Sequence, residues 1–227
     1  MNKVGSLYFD GKQFLIGPSA CMEHLHFMGD NKAHFGPAFD SIKDFHLHNI
    51  ANKIRRIKDG EEVELSFLMI ADIVHILYPD ERRSKGPFFM CHPDAKGDHI
   101  LIHGDKAWLI DLTGTWFTSA QEAFAAPDAL IDVRAFYNGS NELGPAETDF
   151  AVTLARLHHP LLAQHVRKDK PFQRLQHLLA GDSLHDPEQW WVGLRALALG
   201  VGYAGVNESM SWDEGKSFLR FKFSVEP

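Results

Sequence analysis

The chain has 227 residues, of which 44% are hydrophobic, with a net charge of −7 and a pI near 6.0. That is enough apolar material for one large or two small cores, and it lacks the basic footprint of a nucleic-acid-binding protein. Two cysteines (Cys21 and Cys91), no run near the ~18 apolar residues of a membrane span, and no apolar leader point to a reducing, cytoplasmic location.

The first predicted elements are two short strands, Ser6–Phe9 and Gln13–Ile16, joined through Asp10, Gly11 and Lys12 as a hairpin. Residues 17–40 have no periodicity and read as an extended loop. Ser41–Lys58 reads as a helix: Ile42, Phe45, Ile50, Ile54 and Ile57 recur at helical spacing, and Ser41 stands three residues before Asp44 as a cap. Glu62–Tyr78 follows, apolar almost all round and stopped by Pro79, so it is expected to be the buried central helix. Asp80–Lys85 reads as a solvated turn.

The stretch from Phe88 to Leu112 carries the chemistry. Phe88–Cys91 reads as a short buried strand, broken by His92, Pro93 and Asp94. His99–His103 and Lys106–Ile110 are separated only by Gly104 and Asp105, a two-residue link that closes a tight hairpin. With that turn, His103 faces Lys106 and His99 faces Ile110. The loop holding Asp94 and the strand end at Asp111 then meet at the open end, because paired strands lie roughly 5 Å apart. Two acids converging there suit a divalent cation, or a base beside one, since hard cations take several oxygen ligands.

Beyond the hairpin, Ser119 and Glu122 have capping-box spacing and open a short helical stretch. Ala135–Leu143, with Asn138 and Gly139, reads as a loop. Pro145–Gln164 reads as a helix divided or kinked at Pro160, with Phe150, Val152, Leu154, Leu157 and Leu161 inward. Helices over Phe172–Leu179, Glu188–Leu199 and Ser211–Phe223 complete the chain, with Trp190 and Trp191 as core anchors. The fourteen histidines form no zinc-ligand run; they read mainly as surface or cap residues, and His46 and His48 splay apart on their helix. The fold class is therefore α+β and mainly helical. It is expected to be a single domain over 1–227, organised as 1–40 (hairpin and loop), 41–112 (helices and the chemistry-bearing hairpin) and 113–227 (helical).

The spacing of His92, Asp94 and His99, followed by Leu109, Ile110 and Asp111, resembles the aminoglycoside-phosphotransferase-like (choline-kinase-like) kinases. These keep an H-x-D-x-x-x-x-N loop, a short hairpin and an I-D metal motif. The segment Glu122–Val133 and the opening Gly5–Phe9 resemble the branch of that family common in filamentous fungi. The resemblance covers the C-terminal lobe only. It implies a protein-kinase-like lobe that uses ATP and magnesium to phosphorylate a hydroxyl of a small polar substrate. Asp94 would be the catalytic base, His92 would orient its loop, and Asp111 with position 99 would hold the metal and nucleotide phosphates.

Each residue also has a plainer reading. Asp94 after Pro93 suits a turn satisfied by backbone N–H groups, and Asp111 suits a strand-end cap. At position 99 the family pattern has asparagine and this chain has His99, whose nitrogen is a poor match for magnesium. No G-x-G-x-x-G precedes His92, and Lys3 and Lys12 lack the apolar strand context of a kinase lysine. The ATP-binding lobe is expected to be absent. Three readings stand: a kinase lobe, a catalytically dead binding protein on the same scaffold, and a metal-dependent hydrolase using His92, Asp94, His99 and Asp111. The acceptor would sit in an acidic cleft, with Asp128, Asp132, Glu142 and Glu147 as candidates. Apolar surface left by the absent lobe would favour self-association into a homo-oligomer.

Overall fold

The structure, a computed structural model, describes residues 3–9, 11–17, 38–57, 61–79, 84–92, 99–110, 115–180 and 186–223. Strand β1 (Gly5–Phe9) pairs antiparallel with β2 (Phe14–Ile16), Leu7 opposite Ile16. Helix α1 (Ile42–Arg56) is capped by Ser41, whose hydroxyl accepts the Asp44 N–H at 3.2 Å. Helix α2 (Glu61–Leu77) buries Leu65, Phe67, Met69, Ile70, Ile73 and Val74, as its nearly uninterrupted apolar sequence predicts. The predicted 17–40 loop lies mostly outside the described residues; its end returns at Phe39, bridged to Val4.

Strand β3 (Phe89–Cys91) leads toward the hairpin of β4 (Ile100–His103) and β5 (Lys106–Leu109). The register is the expected one, with His103 opposite Lys106 and Ile100 opposite Leu109, and Gly104 turns at φ 63°. Strand β6 (Trp116–Thr118) then pairs with both β1 and β3, giving the antiparallel order β2-β1-β6-β3. Because β3 stands at the end of that sheet it is not a buried strand: Phe88 is buried, but Met90 is 43% exposed. In the turn before it, Ser84 is buried rather than solvated.

The rest is helical: α3 (Ala120–Ala123), α4 (Val133–Tyr137), α5 (Pro145–Arg156), α6 (Pro160–Lys168), α7 (Lys170–Ala180), α8 (Pro187–Gly200) and α9 (Trp212–Phe223). The molecule is thus α+β and mainly helical, with small antiparallel sheets. Two expectations fail here for identifiable reasons. Residues 135–137 are helical, because Asp132 caps the Ala135 N–H at 3.0 Å; Asn138 and Gly139 (φ 85°) end a helix rather than centre a loop. Leu157 is 61% exposed because α5 ends at Arg156 and leaves it as the C-cap, and Leu161 is 72% exposed because the break at His158 (φ 63°) resets the helical phase before Pro160. Phe150 and Leu154 do face inward, onto Ala126, Ala151 and Val166.

The main core forms where α2 meets α1, α8 and α9, around Ile70, Ile73, Trp191, Leu194, Leu197 and Leu219. Trp191 is 1% exposed and donates its indole N–H to the Met210 carbonyl at 3.0 Å. Helix α9 lies so close that a Cβ at Gly215 would sit 2.5 Å from the Trp191 ring. The helical half is pinned by buried cations. Lys170 pairs with Glu147 at 2.5 Å, and Arg174 donates to Asn141 (2.7 Å) and to the Phe136 and Ser140 carbonyls, stacked over the Phe136 ring. Burial pushes the Arg174 guanidinium down to about 10, which leaves it charged at neutral pH.

Candidate functional site

The β3–β6 ladder and the β4–β5 hairpin frame the region that the sequence marks for chemistry. Cys91 is opposite Trp116 in the ladder, so His92 and Thr115 leave the sheet side by side. At the far end the Ile110 N–H donates to the His99 carbonyl at 2.9 Å, continuing the hairpin by one pair. The His92 and His99 rings meet edge to face, 5.6 Å between centroids. Positions 92 and 99, seven residues apart in sequence, are therefore brought together. Asp94 and Asp111, the predicted base and metal ligand, lie outside the described residues, as does Asp98.

A buried polar node centred on Glu122 joins β6 to the helices. Its carboxylate is 3% exposed and takes four hydrogen bonds. Oε1 accepts from His46 Nε2 and the Tyr78 hydroxyl, both at 2.5 Å; Oε2 accepts from the Thr118 hydroxyl at 2.5 Å and the Gln176 amide at 3.1 Å. Four donors fill the lone-pair sites of both oxygens, so Glu122 is ionised and His46 Nε2 carries the proton it donates. Burial alone would raise this carboxyl. The His46 charge and the hydrogen bonds from His46, Thr118 and Tyr78 outweigh it, and Glu122 is held below the usual carboxylate range. The same burial, with the charge of Glu122, pushes the Tyr78 hydroxyl well above its ordinary value, so it stays a donor.

The node ties together α1 (His46), α2's end (Tyr78), β6 (Thr118), α3 (Glu122) and α7 (Gln176). Ser119 adds a bond to Tyr78 at 3.2 Å while capping α3. Its chemical capacity is positional: Glu122, His46, Tyr78 and Thr118 are buried and Gln176 is half-buried, and the node anchors one end of the β3–β6 ladder. His46 Nδ1 is left buried without a partner. Sequence reasoning missed this node. The histidines read mainly as surface or cap residues and none is singled out as buried, although His46 falls between Ile42 and Ile50 at helical spacing, a phase that marks the buried face. Glu122 fits a capping box by spacing, yet its carboxylate turns inward instead of back to the cap.

The other predicted residues divide. Glu147 is fully buried against Lys170 and also accepts the Gly144 N–H at 2.8 Å, so it cannot line an acidic cleft. Asp132 is spent capping α4, and Asp128 and Glu142 are exposed. Burial pushes the Cys91 thiol up to about 12, aided by the Glu122 charge, so it is no thiolate nucleophile at neutral pH. His165 lies 2.5 Å from Asp169 across the end of α6, with Phe124 beside its ring. The cleft lined by Val4, Gly5, Phe45, Trp116, Phe117 and Thr118 has no room for a water molecule. Among the described residues, no three His, Cys, Asp or Glu side chains gather as a metal site, and no helix is long and apolar enough to cross a membrane.

No family model, no curated protein and no solved structure matches the chain.

Proposed function

We propose that the chain carries the catalytic lobe of an aminoglycoside-phosphotransferase-like small-molecule kinase, which transfers the terminal phosphate of ATP to a hydroxyl of a small polar substrate. The observation that carries this reading is the register of the β4–β5 hairpin. The Ile110–His99 hydrogen bond and the His92–His99 ring contact bring the stems of the Asp94 and Asp111 segments to one end of one hairpin. Asp94 then takes the proton of the acceptor hydroxyl as that oxygen bonds to the terminal phosphorus and the bond to ADP breaks. The Glu122 node supports this chemistry indirectly, by fixing β6 and through it β3.

Magnesium, when bound, screens the phosphate charge, and its ligand is assigned to Asp111. His99 does not fit that role: it offers nitrogen where magnesium prefers oxygen, and its ring is packed on His92. The same observation favours a second reading, a binding protein on this scaffold that has lost phosphate transfer. ADP release with a panel of hydroxyl-bearing small molecules separates the two. The kinase reading expects turnover with at least one acceptor, reduced about 10²–10⁴-fold in Asp94→Asn with ATP affinity kept. ATP-independent binding of an acceptor without turnover in either chain would establish the second reading instead.

A further inference from the structure

Asn138 and Gly139 form the bend that takes the chain out of α4, and they are the only Asn-Gly pair in the sequence. Such a pair is chemically labile. The glycine nitrogen can attack the side-chain carbonyl carbon of the asparagine, because glycine has no Cβ to obstruct the approach and little to restrain its rotation. Asn138 is exposed, so water reaches it. What governs its chemistry is therefore the backbone around Gly139.

That backbone is held from three sides. The Gly139 N–H, whose nitrogen would be the nucleophile, donates to the Phe136 carbonyl at 3.0 Å. The same carbonyl accepts from Arg174 Nη1 at 3.1 Å, while Arg174 Nη2 holds the Ser140 carbonyl on the other side of Gly139. Both are charge-assisted bonds from one rigid fork. Arg174 Nε is itself seated on the Asn141 side chain at 2.7 Å, and Asn141 donates onward to the Ala196 carbonyl of α8 at 2.8 Å. Gly139 also packs on α8, where a Cβ would lie 3.1 Å from Val192 Cγ1. The held conformation is an unreactive one. Ring closure needs the Gly139 nitrogen to eclipse the Asn138 Cβ about the Cα–C′ bond, and a ψ of 8° at Asn138 swings it away.

We propose that Asn138-Gly139 is a deamidation site kept shut by the fold, with Arg174 as its latch. When the bend opens, the Gly139 nitrogen gives up its proton and bonds to Asn138 Cγ, and the side-chain amide leaves as ammonia. Water then opens the five-membered succinimide at either carbonyl, giving aspartate or isoaspartate. Isoaspartate carries the main chain through Cβ, one carbon longer, so the carbonyls that Arg174 holds no longer fall in register. An opening of this bend is thereby recorded permanently. The inference does not rest on the kinase reading.

Mass spectrometry of the tryptic peptide 135–156, after incubation of the full chain at pH 8.5 and 37 °C, reads the gain of about one dalton at Asn138. The folded wild type should deamidate at least tenfold more slowly than a synthetic peptide of residues 134–142, which lacks Arg174. Arg174→Met should lose most of that protection, and Asn141→Ala, which leaves the carbonyl bonds of Arg174 in place, a smaller part. Both are compared where urea titration shows the variant fully folded, and Asn141→Ala alone decides if Arg174→Met does not fold. Arg167→Met, at an exposed arginine of α6, should leave the rate unchanged. Equal rates in the folded chain and the peptide would overturn the proposal. So would a folded Arg174→Met or Asn141→Ala as slow as wild type, or an equal acceleration in Arg167→Met.

Discussion

The Glu122 node and the β4–β5 hairpin are inverted with respect to one another: polar groups are out of water in one, and large apolar groups stand in it in the other. The node can afford burial because each carboxylate oxygen meets two donors, so desolvation is offset by charge-assisted bonds. The hairpin has no such compensation within the chain's described residues, and its strands pack substantially only on each other. The inner inversion therefore belongs to stability, while the outer one leaves large apolar side chains in water. Side chains that break the usual inside–outside rule carry the most information about what a region is for.

That contrast can be broken first at the node. Glu122→Ala leaves the buried His46, Tyr78 and Thr118 donors and the half-buried Gln176 amide without their acceptor and is expected to cost about 3–5 kcal/mol in urea unfolding. A loss below 1 kcal/mol would show that the node is not what joins the sheet to the helices. Next, Gly215→Ala pushes a methyl group into the Trp191 ring and should cost about 1–3 kcal/mol, an overpacking effect confined to the α8–α9 contact.

The pH dependence sharpens the electrostatic half. Glu122 has a folded-state pKa below its ordinary value of 4.5. Its contribution to stability is therefore complete above that value and is lost as pH falls through the folded pKa. Asp169, raised by burial, acts with the opposite sign, so the difference between wild type and Glu122→Gln isolates Glu122. Acid melts of the two chains should converge as pH drops; a constant separation would contradict the assignment. The smallest effect is expected at the hairpin, where Ile102→Lys should change monomer stability by no more than about 0.5 kcal/mol. A large loss there would mean the hairpin is part of the core after all.

Much of this architecture is legible locally. Ser41, Pro79, Pro145 and Pro160 mark helix ends because caps and missing N–H groups act on their nearest neighbours, and Gly104 sets the hairpin register for the same reason. The His46–Glu122 pair spans 76 positions and has no local signature; only the helical phase of His46 hinted at it. Apolar runs such as Ile100–Ile102 announce strands but do not say whether a neighbour covers them, and the exposure of the hairpin was illegible for that reason. Of the candidate site, the rings of His92 and His99 meet, a contact the hairpin register does not specify, while Asp94 and Asp111, which it brings together, lie outside the described residues.

The most direct test of the proposed chemistry is calorimetric titration of ATP into the full chain, with and without magnesium, in wild type and Asp111→Ala. The kinase reading predicts micromolar binding that requires magnesium and is lost in Asp111→Ala. Absence of binding in the wild-type chain, or equal binding in both chains without magnesium, would contradict it.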